Sequence, residues 1–337
     1  MQAAAGRGMS RLHAVASHVC GPVRSPPPPA AATAITTAPP PPGVVPAPRV
    51  CTDPAEALRC CRRDGACIYQ AFQDSSLLSK TELEAALVAV APAVFASDVA
   101  VAQPPIAKFL GIGNGRTRPG DLGMEPNLPH MDTAYGMVSN DWLIITNDDP
   151  ADSGGESVLL DGYGLLAGLA PPMRQAMEEV QMLHGGGFVA QEKNQFHSTG
   201  SAWEGVAAVR SPCLTVTAEG RQQFCTPTGG GIRNEDGTGG ITDWLCVPAP
   251  DQPQPQIEAG QLLRLTLRDA VLTATPHAPR FLLQRGQYLI ADNYRMFHGR
   301  EVFTGSRTLR RVWFWSKQAR PEALAFAPSV ANGGAPV

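Results

Sequence analysis

The chain has 337 residues, a formal net charge of −3 and an apolar share of 43%. That length holds one large domain or two small ones, and the apolar share is ordinary for a globular protein. The near-neutral balance argues against nucleic-acid binding and against attachment to a membrane surface.

The first fifty residues stand apart. They contain "SPPPPAAATAITTAPPPPG" and carry Arg7, Arg11, Arg24 and Arg49, with no acidic residue before Asp53. Such a segment buries too little apolar surface to offset its ordering entropy, so residues 1–50 are expected to form a disordered tail. The composition fits an organelle transit peptide, for a chloroplast or mitochondrion, and equally a plain Pro-rich tail of a cytoplasmic protein. No long apolar stretch marks a secretory signal.

From residue 51 to 320 the texture is that of one domain, followed by a short tail over 321–337. "DPAEALRCCRRDG" has an Asp-Pro start and a Gly stop, which predicts a helix. "ACIYQAF" reads as a strand, and "SKTELEAALVAV" as a helix opened by the Ser79/Glu82 capping box. "AALVAVAPAVFASDVAVAQPP" is broken by Pro92 and Asp98, so it reads as helix and loop and not as a membrane span. Further on come "DWLIITN" and "ESVLLDG" as strands around the polar turn "DDPADSGG". "APPMRQAMEEVQML" is the next helix. "CLTVTA", "LLRLTL", "RFLLQ", "QYLIADN" and "TLRRVWFW" follow as short strands. Many short strands at this rhythm predict a mainly β domain, a double-sheet jelly roll with helices packed outside. The eight cysteines form no C-x-x-C pair, and most are expected to be buried or idle thiols.

The chemistry-bearing residues begin at "NLPHMDTAYG". His130 and Asp132 are two positions apart, and in an extended segment both would point to one side. Of the seven histidines, His13 and His18 lie in the tail, and His184, His197 and His277 in loop-like surroundings. His298 ends the apolar run "GQYLIADNYRMFHGR" and reads as a strand residue. Two imidazoles and one carboxylate on one face of a metal form the facial triad of non-haem Fe(II) oxygenases. An H-x-D alone arises by chance in many proteins and is more commonly an Asp-rich turn with a hydrogen-bonded histidine. After His298, a strand over residues 307–315 would put Arg307, Leu309, Arg311, Trp313 and Trp315 on one face. Two arginines on an otherwise apolar face are costly to bury without an anion, and they lie roughly 13 Å apart along the strand.

The ensemble "LPHMDTAYG", "DDPADSGGESVLLDG", "ADNYRMFHGREVFTG" and "RTLRR" resembles the Fe(II)/2-oxoglutarate-dependent oxygenases of the taurine dioxygenase/TfdA superfamily. The "DNYRMFHGREVFTG" run is most similar to the gamma-butyrobetaine hydroxylase and clavaminate synthase branches. The resemblance implies a double-stranded β-helix (jelly-roll) core. It implies Fe(II) held by His130, Asp132 and His298, with 2-oxoglutarate and O₂ as co-substrates. It places Arg307 and Ser157 at the distal carboxylate of 2-oxoglutarate, and Arg311 at a substrate anion or at 2-oxoglutarate itself. The expected reaction is oxidation, most simply hydroxylation, of a C–H bond in a small polar, anionic or zwitterionic metabolite, giving succinate and CO₂. No nucleic-acid or membrane partner is expected. The rivals are a zinc-dependent hydrolase on the same three ligands and a catalytically silent jelly roll that only binds a ligand.

Overall fold

Local signals set the first helix, α1 (Pro54–Asp64). The Asp53 side chain accepts from the Glu56 N–H at 2.8 Å, Pro54 takes the first helical position, and Gly65 ends the helix at φ +83°. That is a side-chain cap at one end and a left-handed glycine at the other. The computed structural model describes residues 39–72, 78–102, 106–111, 127–132, 140–184, 209–217, 220–225, 229–233, 239–242, 246–321 and 323–324. The chain divides into two units between Pro39 and Pro40, and the elements described belong to the second.

Helix α2 (Lys80–Phe95) opens with the expected capping box, Ser79 and Glu82 each bonding the other's backbone N–H. It does not break at Pro92, as the sequence suggested, but runs on to Phe95. Pro92 sits on the exposed side, as does Val88 four residues earlier, so the carbonyl that loses its helical partner is on the water side. Three more helices follow: α3 (Gly162–Gly168), α4 (Pro171–Glu179) and α5 (Gln254–Ala274). The residues "QML", expected to end α4, instead lead into a short strand over Met182–His184.

Eleven strands build the two principal sheets. They are β1 (Val50–Cys51), β2 (Ala66–Gln70), β3 (Val99–Ala102), β4 (Ile106–Gly111), β5 (Asn127–His130), β6 (Trp142–Asp149), β7 (Ser157–Asp161), β8 (Arg280–Phe281), β9 (Gln287–Asp292), β10 (Met296–Arg300) and β11 (Ser306–Ser316). The large sheet runs β1-β2-β9-β6-β11-β3, with β4 also paired to β11, and the small sheet runs β8-β7-β10-β5. Apart from the parallel β1–β2 pair, every pairing in these two sheets is antiparallel.

Strand alternation sorts the core into three layers. Ile144, Ile290, Val312 and Phe314 leave the large sheet on one face and pack on Cys60 and Cys61 of α1 and Leu87, Val90 and Val94 of α2. Leu143, Leu289, Trp313 and Trp315 leave it on the other face and meet Leu159 and Met296 of the small sheet. Val158, Leu160 and Phe297 form the outer face of the small sheet, under Leu165 of α3, Met177 of α4 and Leu263, Leu267 and Val271 of α5. Two facing sheets with helices outside each is the mainly β architecture expected.

One expected strand is a helix. "LLRLTL" lies inside α5, where Leu263, Leu267, Val271 and Ala274 are buried at helical spacing. Leu262, Leu265 and Leu272 are exposed. Exposed Leu265 between buried Leu263 and Leu267 gave the stretch its strand-like alternation, and the longer 3.6-residue stripe overrides it. "RFLLQ" shrinks to the two residues of β8.

Val44 and Val45 pack against the outer and inter-sheet clusters. The Ile68 N–H donates to the Arg49 carbonyl at 2.9 Å. The segment just before residue 50 is therefore tied to the folded unit. Residues 1–38, with the transit-peptide reading, and residues 325–337 lie outside the described residues. Among the described residues, no helix is long and apolar enough to cross a membrane. Cys51, Cys60, Cys61, Cys67, Cys213 and Cys225 are buried, and burial pushes Cys51 up to about 12.

Candidate metal centre

The inner face of the small sheet answers what the H-x-D serves. β10 pairs with β5 so that His298 stands directly opposite His130. The two imidazole rings lie 4.5 Å apart, centre to centre. Asp132 follows β5, and its Oδ1 lies 3.7 Å from His130 Nε2 and 3.6 Å from His298 Nε2. One ligand atom from each of the three residues falls within 4.8 Å of the other two. Gly299 makes the approach possible, since a Cβ there would stand 2.5 Å from the Asn127 carbonyl oxygen.

The donor atoms are prepared. His130 Nδ1 lies 2.9 Å from the Leu128 carbonyl oxygen, which only accepts. The proton therefore belongs on Nδ1, and Nε2 offers its lone pair. Burial, reinforced by the neighbouring His130, pushes His298 below its ordinary value, which favours its neutral form near pH 7. Burial opposes the charge on Asp132, but Arg311, His298 and His130 together hold its carboxyl well below the usual carboxylate range. Two imidazole nitrogens and one carboxylate oxygen, converging and mostly buried, are a donor set that fits Fe(II).

Three further side chains lock Asp132. The buried Asn293 accepts from the Asp132 N–H at 2.9 Å and donates to the Asp132 carbonyl at 2.9 Å. On the side-chain end, Oδ2 accepts from Arg311 Nη1 at 2.9 Å and from Trp313 Nε1 at 2.7 Å. Arg311 was expected to meet an anion of the substrate or co-substrate, with packing against a protein acid as the rival reading. Here its anion is Asp132. The roles of Asn293 and Trp313 were not drawn from the sequence, although both lie in its singled-out segments. The shared face of Arg311 and Trp313 was the available signal.

Arg307, four residues before Arg311 on β11, is 2% exposed. Its Nη1 donates to the Gly155 carbonyl at 2.7 Å, and its Nε has no partner. Burial pushes the guanidinium down to about 10. It lines a cavity of about 170 Å³ together with Asn147, Asp152, Leu283 and Arg285. Ser157 is two residues beyond Gly155, buried at the start of β7 and in register with Arg300. Ser157 and Arg307 are thus brought to one end of the inter-sheet space, against the same turn. His277 lies in a 3₁₀ turn and is exposed, and His184 is on the Met182–His184 strand.

The taurine catabolism dioxygenase TauD, TfdA family model matches residues 111–313. No curated protein matches the chain. Among solved structures, AAD-2 in complex with Mn(II) and N-oxalylglycine has a TM-score of 0.50 and 13% identity, covering 79% of this chain and 89% of that one. Asparagine oxygenase in complex with Fe(II), 2S,3S-3-hydroxyasparagine and succinate gives 0.49 and 14%, covering 77% and 78%. The PvcB protein from Pseudomonas aeruginosa gives 0.44 and 14%, covering 77% and 79%. The paired sheets form a jelly-roll core, a fold shared with AAD-2. With the family model covering His130, Asp132 and His298, the chain belongs to the TauD/TfdA family and is an Fe(II)- and 2-oxoglutarate-dependent dioxygenase.

Proposed function

We propose that His130, Asp132 and His298 hold the iron, and that Arg307 and Ser157 receive the distal carboxylate of 2-oxoglutarate. The observation that carries the metal assignment is the convergence of the two Nε2 atoms on one Asp132 oxygen. The co-substrate assignment rests on Arg307, a buried cation without an ion-pair partner among the described residues. A buried charge of that kind calls for an anion, and a carboxylate matches its planar fork. When bound, Fe(II) supplies the activation of O₂, coupled to decarboxylation of 2-oxoglutarate into succinate and CO₂ and to oxidation of a C–H bond of the substrate. The chain's own part is to turn both Nε2 atoms toward the metal position, hold Asp132 ionised and orient the co-substrate.

The substrate class we favour is a small polar metabolite, with hydroxylation as the simplest outcome. The expectation of an anionic or zwitterionic substrate rested on Arg311. With that guanidinium already on Asp132, the motive for an anionic group falls away. The "DNYRMFHGREVFTG" run supports a place near the gamma-butyrobetaine hydroxylase and clavaminate synthase branches. The test is succinate release from 2-oxoglutarate against a panel of anionic, zwitterionic and neutral polar metabolites, with mass analysis of the compound consumed. A product heavier by one oxygen supports hydroxylation. Failure of His298→Ala to lower turnover with added iron would remove that ligand from the assignment.

A further inference from the structure

We propose that Arg311 and Trp313 are positioning residues that occupy the outer oxygen of Asp132, so that the carboxylate offers the metal a single oxygen. The inference rests on the reading of His130, Asp132 and His298 as the metal centre. Asp132 divides its two oxygens cleanly. Oδ1 faces the two histidine Nε2 atoms at 3.7 and 3.6 Å. Oδ2 takes both strong donors, Arg311 Nη1 at 2.9 Å and Trp313 Nε1 at 2.7 Å. Neither an indole nor a guanidinium can accept, so the arrangement has no reversed form. The two donors also brace each other, with the Arg311 guanidinium 4.1 Å from the Trp313 ring centre. Both residues leave β11 on the face that meets the small sheet, while Asn293 fixes the Asp132 backbone.

The consequence concerns coordination number. A carboxylate with both oxygens free can chelate a metal and fill one position more than a one-oxygen ligand does. A site that must admit a chelating 2-keto acid and O₂ beside three protein ligands has no position to lose. Holding Oδ2 from behind keeps that position open. It also commits Nη1 of the second arginine of "RTLRR" to Asp132, with 12% of that side chain exposed.

The experiment is anaerobic Co(II) titration of the full chain, read by visible absorption, followed by addition of 2-oxoglutarate. The wild-type protein, Arg311→Ala, Arg311→Lys and Trp313→Phe are compared. The expected result is that both Arg311→Ala and Trp313→Phe still bind Co(II). Their absorption bands should differ from wild type, and their apparent affinity for 2-oxoglutarate should fall about tenfold or more, the usual scale for groups that orient a metal ligand. Arg311→Lys, which keeps the charge and one donor, should recover part of the wild-type spectrum. A merely structural role would lower the melting temperature and leave the spectrum of the folded protein unchanged, and that result overturns the proposal. A wild-type spectrum in Arg311→Ala with only a raised substrate KM overturns it in favour of a substrate contact. Should Arg311→Ala not fold, Trp313→Phe decides, because it preserves the ring and deletes one donor. If wild-type protein binds no Co(II), the metal reading beneath the proposal fails instead.

Discussion

Strand β11 carries three arginines within five residues, and they meet three different surroundings. Arg310 points to the α2 side of the large sheet, where it pairs with Asp148 and Glu84. Arg311 points between the sheets and pairs with Asp132. Arg307 points into the same layer, is buried more deeply than either, and holds a single carbonyl, that of Gly155. The two inner arginines therefore mark opposite conditions. At the Arg311 end, charge is balanced within the chain. At the Arg307 end, a cation is held in low dielectric with no acid of its own among the described residues. A fold that maintains both on one strand face assigns them different work. The balanced one shapes a ligand of the metal, and the unbalanced one waits for a co-substrate. The difference lies in the partner and not in the residue type.

The strongest way to break that contrast is to remove the acid at the Arg311 end. Asp132→Ala deletes a metal donor and at the same time frees Arg311. The expected outcome is loss of Co(II) binding by titration and succinate release reduced to background. Retained metal binding would show that Arg311 and Asp132 form only a structural ion pair. The next effect in size belongs to the other end. Arg307→Ala should leave Co(II) binding close to wild type while weakening 2-oxoglutarate. Losing one half of a buried charged pair costs about 3–5 kcal/mol, a hundredfold or more in affinity. An unchanged 2-oxoglutarate dependence would place the carboxylate elsewhere in the cavity, with Arg285 the next cation to test.

How much of this was legible beforehand differs between levels. The caps of α1 and α2 stand in the sequence because Asp53, Ser79, Glu82 and Gly65 act on their immediate neighbours. The strand face of β11 was legible from period-two alternation, and the burial of Arg307 and Trp313 agrees with it. The direct opposition of His130 and His298 was not legible, because the register between β5 and β10 is a property of the sheet. The partner of Arg311 was hidden for a related reason. Asp132 follows a strand of the small sheet, and only the stacking of two sheets brings it within 2.9 Å. α5 was misread because six residues of alternating leucine fit either period, and only its full length decides.

Arg310 gives a control on the outer face. Arg310→Ala leaves Asp148, whose side chain is fully buried, without its guanidinium. Charged hydrogen bonds of this kind contribute about 2 kcal/mol each, so urea denaturation should report a loss of that order. Metal binding and the 2-oxoglutarate constant should hold, since the residue faces the α2 side. A marked change in either would mean that the two faces of the sheet are coupled, and the sorting of the three arginines by face would fail.

The smallest effect sharpens the Arg307 end. Ser157 is buried beside the turn whose Gly155 carbonyl accepts from Arg307, and a hydroxyl there can add one hydrogen bond to a carboxylate seated on the guanidinium. Ser157→Ala removes that donor at little cost in packing, and a net hydrogen bond is worth about 1 kcal/mol. The 2-oxoglutarate affinity should fall about fivefold, with Co(II) binding and thermal stability close to wild type. The informative measurement is the double variant. If Ser157 and Arg307 grip one carboxylate, the loss from Ser157→Ala should shrink toward nothing in an Arg307→Ala background, because the anion is no longer held where the hydroxyl can reach it. Strict additivity of the two losses would mean that the serine acts on some other group, and Arg307 would then stand as the sole anchor at its end of the strand.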